Sequence, residues 1–393
     1  MSETRLDLEQ QSELGRPDFI ILIVTLILLG FGLVMIYSSS HHIAYWEYQD
    51  SAYFLKRQLV WAFLGLLMLY ITMNIPYRLY RKLVPVILLV LLVMMVLVLV
   101  PGFGLKEKGA QRWLNLGVVT LQPSEFVKLG LIMYLASIYS KKQGYISQFK
   151  RGVLPPLVIV GLFFGLTLLQ RDLGTASMLM LFTFVILFCA GARMRHMLAL
   201  GLMGFLMVGI FAVTQPYRLE RLTAFLDPWA DPLDTGYHTI QSLYAIGNGG
   251  LWGMGFNNSI QKQFYLPEPH TDFIFAVVAE EWGLVGVIGV LLAYLVLILR
   301  GIQLSLHAPD AFGMLLGIGI SGMIGIQALI NIGVVSGSLP VTGLTLPFLS
   351  YGGSSLLLTL VSTGILLNIS RYAVQNRRKE SHHEQNPIQT ETL

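Results

Sequence analysis

The sequence predicts an all-α polytopic membrane protein with about ten transmembrane helices and one large extracytoplasmic loop. Its 393 residues are 54% hydrophobic and only 12% charged, whereas charged residues make up about 25% of an average soluble domain. Apolar runs of about 20 residues, the length that crosses a bilayer, follow one another along almost the whole chain. We predict spans at residues 18–39, 56–75, 83–101, 124–140, 153–170, 174–191, 196–215, 273–299, 311–335 and 350–370.

Basic residues indicate which side of the membrane each loop faces. Ten spans place both termini on one side. With Met1 inside, most of the 26 lysine and arginine residues fall in the inner segments, and positive charge in short loops marks the cytoplasmic side. We therefore predict that both termini are cytoplasmic (N-in and C-in). The same excess accounts for the net charge of +4, so no nucleic-acid partner is needed to explain it.

The chain divides into three predicted parts. They are a cytoplasmic N-terminal tail at 1–17, a membrane domain at 18–371 that includes the extracytoplasmic loop 216–272, and a cytoplasmic C-terminal tail at 372–393. Both tails are polar and lack periodicity, as is usual for disordered chain ends. The first apolar run is too long for a cleavable signal peptide and lacks a small-residue cleavage site. The single cysteine, Cys189, lies inside the sixth span and has no intrachain disulfide partner.

Polar, Gly-rich and Pro-rich sequence gathers on the predicted outer face. It forms three segments, at 102–123, 216–272 and 336–349. Irregular backbone near membrane depth is tolerated only where protein covers it or where it lines a wet cavity. We therefore expect a cavity that opens outward.

Asp272 ends the long outer loop, where that loop meets the eighth span. An ionisable group at such a depth is costly and by default suggests a functional site. A second interpretation is that Thr271 or Asp272 caps the following helix, which is a common use of both residue types. Glu280 and Glu281 lie about 12 Å further along that helix. They need partners, a proton or a cavity, which favours a polar interior.

The outer start of the fourth span carries Ser124, Glu125 and Lys128. Ser124 is a candidate helix cap, Glu125 suits the first turn of a helix, and Lys128 lies on the same face as Glu125. These features fit a capped helix whose lysine extends to the membrane surface. Spacing alone favours that interpretation, because such pairs are weak. They also fit a polar patch on the floor of the cavity, near Arg112.

A tight outer turn, residues 170–175, joins the fifth and sixth spans. In one interpretation it is an ion-paired turn in which Asp172 caps the sixth helix. In the other, Asp172 and Arg171 add a carboxylate and a cation to the same cavity. The sequence leaves the two alternatives about even, because charges at the membrane interface cost little.

The last outer segment ends in the small-residue run 352–355, which contains Ser354. Small residues allow helices to pack closely, and they equally suit the wall of a groove. In the preceding span, Gln327 and Asn331 lie one turn apart on one face. We interpret these two amides as hydrogen-bonding glue between helices.

Taken together, these segments resemble the SEDS family of bacterial membrane proteins (shape, elongation, division and sporulation). The resemblance covers about residues 18–371. The runs 343–347 and 265–268 look more like the division and sporulation branch (FtsW/SpoVE) than the elongation branch (RodA), and Arg171 stands where the family pattern has proline. The motifs that carry the resemblance are Arg112-Trp113-Leu114 with Gln122-Pro123-Ser124-Glu125 and Lys128, Asp172-Leu173-Gly174-Thr175, Gly236-Tyr237 with Gln241-Ser242, Gly253-Met254-Gly255, His270-Thr271-Asp272-Phe273 and Ser350-Tyr351-Gly352-Gly353-Ser354-Ser355.

The resemblance implies a peptidoglycan glycosyltransferase in which Asp272 is the essential acidic residue. Such an enzyme would polymerise the lipid-linked precursor lipid II into β-1,4 glycan strands at the outer face of the cytoplasmic membrane, releasing polyprenyl diphosphate. The implied partners are a class B penicillin-binding protein, which is a transpeptidase, and other division or sporulation membrane proteins. We expect Asp272 to be catalytic. The residues expected to bind substrate are Arg112, Glu125, Lys128, Asp172, His270, Lys262 and Ser354.

Elementary chemistry agrees with these expectations. A diphosphate is already a good leaving group, so the site needs cations beside it and a base beside the acceptor hydroxyl. Asp272 can accept that proton late in the attack on an oxocarbenium-like centre, by analogy with glycosidases. No cofactor is certain. A divalent cation could share the charge of the diphosphate, although no ligand cluster in the sequence demands one.

Two other functions stay open from the sequence: a lipid II flippase or other polytopic transporter, and a non-catalytic scaffold for a transpeptidase. Glu280 and Glu281 and the Gly-rich helices suit a flippase. Against it, the sequence shows no inverted repeat and no pair of broken helices of the transporter kind. A scaffold predicts that Asp272 tolerates replacement by asparagine.

Overall fold

Helices make up most of the protein. The computed structural model describes residues 15–107, 110–115, 117, 120–141, 143–213 and 223–385. The helices are α1 (Phe19–Tyr48), α2 (Tyr53–Asn74), α3 (Tyr77–Leu99), α4 (Pro123–Lys141), α5 (Leu154–Leu169), α6 (Leu173–Cys189), α7 (Met194–Val213), α8 (Tyr237–Gly249), α9 (Ile274–Leu306), α10 (Ala311–Val335) and α11 (Gly353–Gln385).

Each of the ten predicted spans overlaps one of these helices. Seven helical segments among the described residues are long and apolar enough to cross a membrane, and α4, α6 and α7 are not among them. Helix α6 is apolar but has only 17 residues. The protein is thus mostly helical with many apolar helices, while ten crossings and the inner position of both termini stay predictions.

The expectation of an all-α fold is wrong in the segment that follows α3, which is predicted to face outward. There the chain forms a three-stranded antiparallel sheet of β1 (Gly104–Glu107), β2 (Ala110–Asn115) and β3 (Thr120–Leu121). Gly104 pairs with Leu114, and Leu114 pairs with Leu121. Strand β2 also packs against α3 and α4, and it carries Arg112 to the outer end of α4.

The long outer loop is also more regular than predicted. It contains α8, a 13-residue helix whose buried side packs on α9. Residues 214–222, which include the start of the predicted loop, lie outside the described part of the chain.

Helices α10 and α11 form the centre of the molecule. Most of their side chains are buried, whereas α2 and α3 expose large apolar residues such as Phe63 and Leu89 along one side. That exposed apolar side is expected to face lipid. Polar residues on α10 are therefore enclosed by protein at the middle of the bundle.

Helix α9 is broken at Gly283. That residue has φ 62° and ψ −159°, a conformation that only glycine adopts without strain. Before the break, the short segment 274–282 is almost entirely buried in protein; after it, 284–306 exposes a stripe of leucine and valine. The later part has 23 residues, about 34 Å of helix, which matches the hydrocarbon core of a bilayer. The candidate span here is Ile274–Leu306, so the helix continues beyond the predicted end at residue 299. The sequence shows no pair of broken helices of the transporter kind, and α9 is a single broken helix.

The two predicted tails contain ordered residues next to the membrane domain. Gly15 accepts a hydrogen bond from Arg371 through its carbonyl oxygen, and Asp18 both caps α1 and pairs with Arg300 at 2.8 Å. Helix α11 continues to Gln385, well into the predicted C-terminal tail.

Candidate active site

Asp272 lies in a turn just before α9. Hydrogen bonds to three consecutive main-chain carbonyls fix that turn. The carbonyl oxygen of Asp272 accepts from the side-chain amide of Asn331 at 2.8 Å. The carbonyl of Thr271 accepts from the hydroxyl of Ser350 at 2.6 Å, and that of His270 from a main-chain N–H at 2.8 Å. Phe273 occupies the cap position of α9, with no side-chain cap bond. The capping interpretation of Asp272 and Thr271 is therefore wrong.

Gln327 and Asn331, the two amides interpreted as glue between helices, have specific main-chain partners. Asn331 also donates to the carbonyl of Leu344 at 2.6 Å, and Gln327 donates to that of Thr345 at 2.9 Å. Both thus bind the main chain of the segment that follows α10. This segment is pressed against the Asp272 turn.

Gly343 lies beside the Asp272 carboxylate. Its φ is +72°, and a Cβ atom at this position would be 3.6 Å from Oδ2 of Asp272. Because glycine has no side chain, the carboxylate keeps open space on this side. The segment around Gly343 also approaches the N-terminal end of α6, where Gly174 lies close to the carbonyl of Thr342.

Lys128 is completely buried, so it does not extend to the membrane surface. Its ammonium lies 2.8 Å from Oε2 of Glu125 and donates to Oε1 of Gln327, also at 2.8 Å. The interpretation as a polar patch fits these contacts better than that of a capped surface helix. Gln327 and Asn331 are one helical turn, about 6 Å, apart on α10. Lys128 and the Asp272 turn are therefore attached to neighbouring positions on one helix face.

Asp172 caps α6, as one of the two sequence interpretations proposed. Its carboxylate accepts from the N–H of Thr175 at 3.1 Å and from the Thr175 hydroxyl at 2.9 Å. Arg112 Nη1 lies 3.9 Å from Oδ1 of Asp172, and Arg112 donates to the carbonyl of Arg171. Arg112 is partly exposed, and its Nε atom is buried without a hydrogen-bond partner. Asp172 is thus both a helix cap and a neighbour of the guanidinium.

Ser354, at the start of α11, is connected through Gln122 to the turn that contains Asp172. Its hydroxyl accepts from the main-chain N–H of Gln122 at 3.1 Å, and the Gln122 side chain reaches Asp172 at 3.4 Å. The next residue, Ser355, shares a 2.9 Å hydrogen bond with the hydroxyl of Thr345. Ser354 therefore belongs to the same polar group as Asp172.

His270 is buried two residues before Asp272. Its ring packs on Phe54 with centroids 4.3 Å apart and on Tyr351 at 5.6 Å. Gln58, one turn after Phe54 on α2, bonds to the carbonyl of Ser350. The inward-facing side of α2 thus supports the Asp272 turn, in addition to the support from α10.

Lys262 joins a different cluster. Its side chain is fully buried, and its ammonium lies 2.7 Å from Oε1 of Glu281 and donates to Asn257 at 2.7 Å and to Ser38 at 3.0 Å. Burial lowers the pKa of Lys262, and the adjacent Glu281 opposes that shift. These partners use the ammonium within the protein, so we do not carry Lys262 forward as a diphosphate ligand.

The residues that sequence reasoning missed are the ones that hold the site in place. They are the side chains of Gln58, Gln122 and Ser350, together with Asn331 in its role as a clamp on the Asp272 turn. Gln122 and Ser350 belong to motifs that carry the family resemblance, and Gln327 and Asn331 share one helix face. Their partners could not be predicted, because these contacts join segments far apart in the chain.

The described residues contain no group of three or more His, Cys, Asp or Glu side chains that could hold a metal ion. Mg²⁺ commonly requires only one or two protein carboxylates when substrate phosphates supply further oxygens. Asp272, with open space beside Gly343, fits that requirement.

Comparison with known proteins identifies the family. The family model for FtsW, RodA and SpoVE, described as "cell cycle protein", matches residues 19–375. Stage V sporulation protein E of Bacillus subtilis is 47% identical over 357 residues, which cover 91% of this chain and 98% of that protein. A probable peptidoglycan glycosyltransferase FtsW of Geobacter sulfurreducens is 45% identical over 358 residues, covering 91% of this chain and 96% of the relative.

Two solved structures share the fold. A chain from a structure titled "Structural coordination of polymerization and crosslinking by a peptidoglycan synthase complex" has a TM-score of 0.75 and 33% identity, covering 91% of this chain and 99% of its own. The rod shape determining protein RodA of Thermus thermophilus has a TM-score of 0.65 and 31% identity, covering 90% and 97%. The chain therefore belongs to the FtsW/RodA/SpoVE family of multi-pass membrane proteins, the SEDS family that its motifs resemble.

Proposed function

We propose that this protein is a peptidoglycan glycosyltransferase of the bacterial cytoplasmic membrane, acting in cell division or sporulation. Its substrate is lipid II, its product is β-1,4-linked glycan, and polyprenyl diphosphate leaves. The names of the relatives support the activity: one is a probable peptidoglycan glycosyltransferase and another a sporulation protein. The apolar helices support the location, because the lipid tail of the substrate can stay in the bilayer while its head group reaches the outer ends of the helices.

The observation that carries the mechanism is the placement of Asp272. Three hydrogen bonds to main-chain carbonyls fix the turn that carries its carboxylate. Gly343 leaves space beside that carboxylate. The carboxylate accepts the proton of the acceptor hydroxyl as that oxygen attacks the anomeric carbon of the donor sugar, and the bond to the diphosphate breaks.

Arg112 is the cation best placed to stabilise the departing diphosphate. It is partly exposed, it is 3.9 Å from Asp172 and not in tight contact with it, and its Nε donor has no partner. A planar guanidinium can also bind two phosphate oxygens at once. Lys128 is fully buried and already paired with Glu125, so in our proposal it contributes positive potential at the floor of the site.

The other predicted substrate-binding residues support these groups. Glu125 holds Lys128, and Asp172 holds Arg112 while it caps α6. Ser354 fixes Gln122 against the same turn, and His270 packs the Asp272 turn on α2. If a divalent cation takes part, Asp272 and the diphosphate would hold it between them.

The proposed partner is a class B penicillin-binding protein that crosslinks the new glycan. A solved relative belongs to a peptidoglycan synthase complex that couples polymerisation and crosslinking, which supports a transpeptidase partner. Other division or sporulation membrane proteins complete the proposed set of partners.

The broken helix α9, with its buried Glu280 and Glu281, is the one observation that suits the alternative of a lipid II flippase. A non-catalytic scaffold is the third alternative. Purified protein in detergent, supplied with lipid II, separates the glycosyltransferase from both alternatives because detergent offers no second compartment. We expect glycan polymer from the wild-type protein; neither a flippase nor a scaffold makes any.

Replacement of Asp272 tests the mechanism in the same assay. Asp272→Asn should leave the protein folded and inserted but abolish polymerisation. The matched control is Asp50→Asn, which changes another carboxylate, one that pairs with the exposed Lys56; it should polymerise normally. Wild-type rates from purified Asp272→Asn would overturn the assignment of Asp272 as the base.

A further inference from the structure

A second buried charge cluster lies at the end of segment 274–282, at the opposite end from Asp272. It contains Glu280, Glu281 and Lys262, and each has 1% or less of its surface exposed. The mechanism proposed above uses none of these three ionisable groups.

Glu281 ties the end of this segment to α1 and to the long outer loop. The hydroxyl of Ser38 on α1 lies 2.6 Å and 2.8 Å from the two carboxylate oxygens. The ammonium of Lys262 lies 2.7 Å from Oε1 and also contacts Ser38 and Asn257. The single carboxylate of Glu281 thus joins three separate parts of the chain.

The carboxylate of Glu280 also has several hydrogen-bond donors, and these belong to the long outer loop. Its carboxylate accepts from the side chains of Asn248 and Ser259, and from the main-chain N–H groups of Ile260 and Gln261 at 3.2 Å each. Four donors on one carboxylate fix its rotation as well as its position.

The main chain around the break reinforces the same end. The carbonyls of Glu280 and Glu281 accept from the N–H groups of Met254 and Gly255 at 2.9 Å and 3.0 Å. Gly253 packs so closely that a Cβ atom there would lie 2.2 Å from the carbonyl oxygen of Glu281. In a continuous helix, N–H groups of the next turn would bind these two carbonyls. Here N–H groups of the long loop bind them instead.

Stability alone does not explain this cluster. Replacing a buried ion pair with well-packed apolar residues is often neutral or stabilising, and a better-attested use of buried polar groups is to fix one arrangement. The cluster fixes the position of segment 274–282, a buried helical segment of nine residues that is about 13 Å long. Asp272 lies two residues before the start of that segment.

We propose that Lys262, Glu280 and Glu281 are positioning residues that clamp the far end of segment 274–282 and so set the position of Asp272. The proposal rests on the assignment of Asp272 as the base. The clamp fixes the axial position and rotation of the segment, while Asn331 fixes the turn at its beginning. Together they hold the carboxylate where the acceptor hydroxyl must lie.

The first test replaces the charged pair by a neutral pair of similar length, Lys262→Met with Glu281→Gln, so that no unpaired charge is buried. For the folded fraction we expect kcat for lipid II polymerisation to fall about tenfold or more, with KM changed less than about twofold, because small misplacements of a catalytic group act on the chemical step. The control is Arg300→Met, which removes the Asp18 ion pair from the other part of α9. It should leave both constants unchanged.

The second test measures position without requiring activity. Asp272→Cys is made in a Cys189→Ser background, and the alkylation rate of the thiol by a water-soluble maleimide is followed with and without the neutral pair. We expect the neutral pair to change that rate about fivefold or more, as for a site moved by an ångström or so, and Arg300→Met to leave it unchanged. The alkylation rate does not depend on polymerisation, so it tests the clamp even if the proposed reaction is wrong.

The proposal is overturned if the folded neutral-pair variant keeps both the wild-type kcat and the wild-type thiol reactivity. Should that variant fail to fold, Ser38→Ala replaces it: this change removes the hydroxyl that donates to the Glu281 carboxylate and leaves the ion pair intact. It should show smaller shifts in the same direction, and unchanged kcat and reactivity in Ser38→Ala would equally contradict the clamp.

Discussion

The side-chain amide of Asn331 donates to the main-chain carbonyl of Asp272 over 2.8 Å. The same nitrogen donates to the carbonyl of Leu344 over 2.6 Å. One buried amide thus joins the last turns of α10, the turn that carries the proposed base and the segment that lines it.

Asn331→Leu should lower kcat with little change in KM for lipid II. It removes a donor from the part-buried carbonyl of Asp272 and from the buried carbonyl of Leu344, at a cost of up to about 1–3 kcal/mol each, and it frees the Asp272 turn. Steady-state kinetics and thermal unfolding of the purified protein measure the two effects. Asn74→Ala, which removes an exposed amide near the end of α2, is the control; equal kinetics for both variants would contradict a role for Asn331 in placing Asp272.

Glu125→Gln should destabilise the protein more than the double change Glu125→Gln with Lys128→Met. The single variant leaves a fully buried ammonium without its anion, at a cost of about 3–5 kcal/mol, while the double variant removes both charges. If Lys128 supplies positive potential to the diphosphate, the double variant regains stability but stays at least about tenfold slower than wild type. A double variant with wild-type kcat would limit Lys128 to a structural role.

Asp172→Asn and Asp172→Ala should separate the two functions of this side chain. Asparagine still caps a helix, so Asp172→Asn keeps the stability of α6, whereas Asp172→Ala loses about 0.5–2 kcal/mol. Both remove the negative charge 3.9 Å from Arg112, so both should raise KM or lower kcat. Unfolding curves and kinetics of the pair distinguish capping from catalysis; a normal rate for Asp172→Asn would show that the charge is dispensable.

Gly343→Ala should slow polymerisation more than its backbone strain explains. The alanine methyl would enter the space 3.6 Å from the Asp272 carboxylate, and a left-handed alanine costs about 1–2 kcal/mol. Gly102→Ala is a matched control, because Gly102 has φ 95° and nothing within 4 Å of its Cβ position. We expect similar losses of stability and a loss of kcat only for Gly343→Ala; equal kcat values would show that the space beside Asp272 is not used.

Hydropathy was sufficient to predict most of the helical framework, because lipid-facing helices must be apolar along their whole length. It could not predict the break in α9, because apolar residues continue on both sides of the stretch Glu280–Gly283. Only the φ of that glycine and its close contact with Gly253 distinguish it from other helix glycines. The small sheet at 104–121 was missed because its strands are short and lie in polar sequence.

The candidate site was predictable in its residue types but not in its contacts. Asp272 could be selected because an ionisable group at the end of a span is costly, whereas Arg112 and Lys128 were assigned to the site through the family resemblance. Lys262 was predicted to bind substrate as an available cation, yet it is fully buried against Glu281 and Ser38. Ser38 precedes Lys262 by 224 positions, and no local pattern signals a contact over that separation.

The break at Gly283 has a mechanical consequence. A membrane helix responds to a thicker or thinner bilayer by changing its tilt, and a continuous α9 would transmit that tilt to Asp272 as a lever does. Here the lipid-facing part, 284–306, meets the buried part at a glycine joint. We expect the joint to separate changes of tilt in segment 284–306 from the position of Asp272.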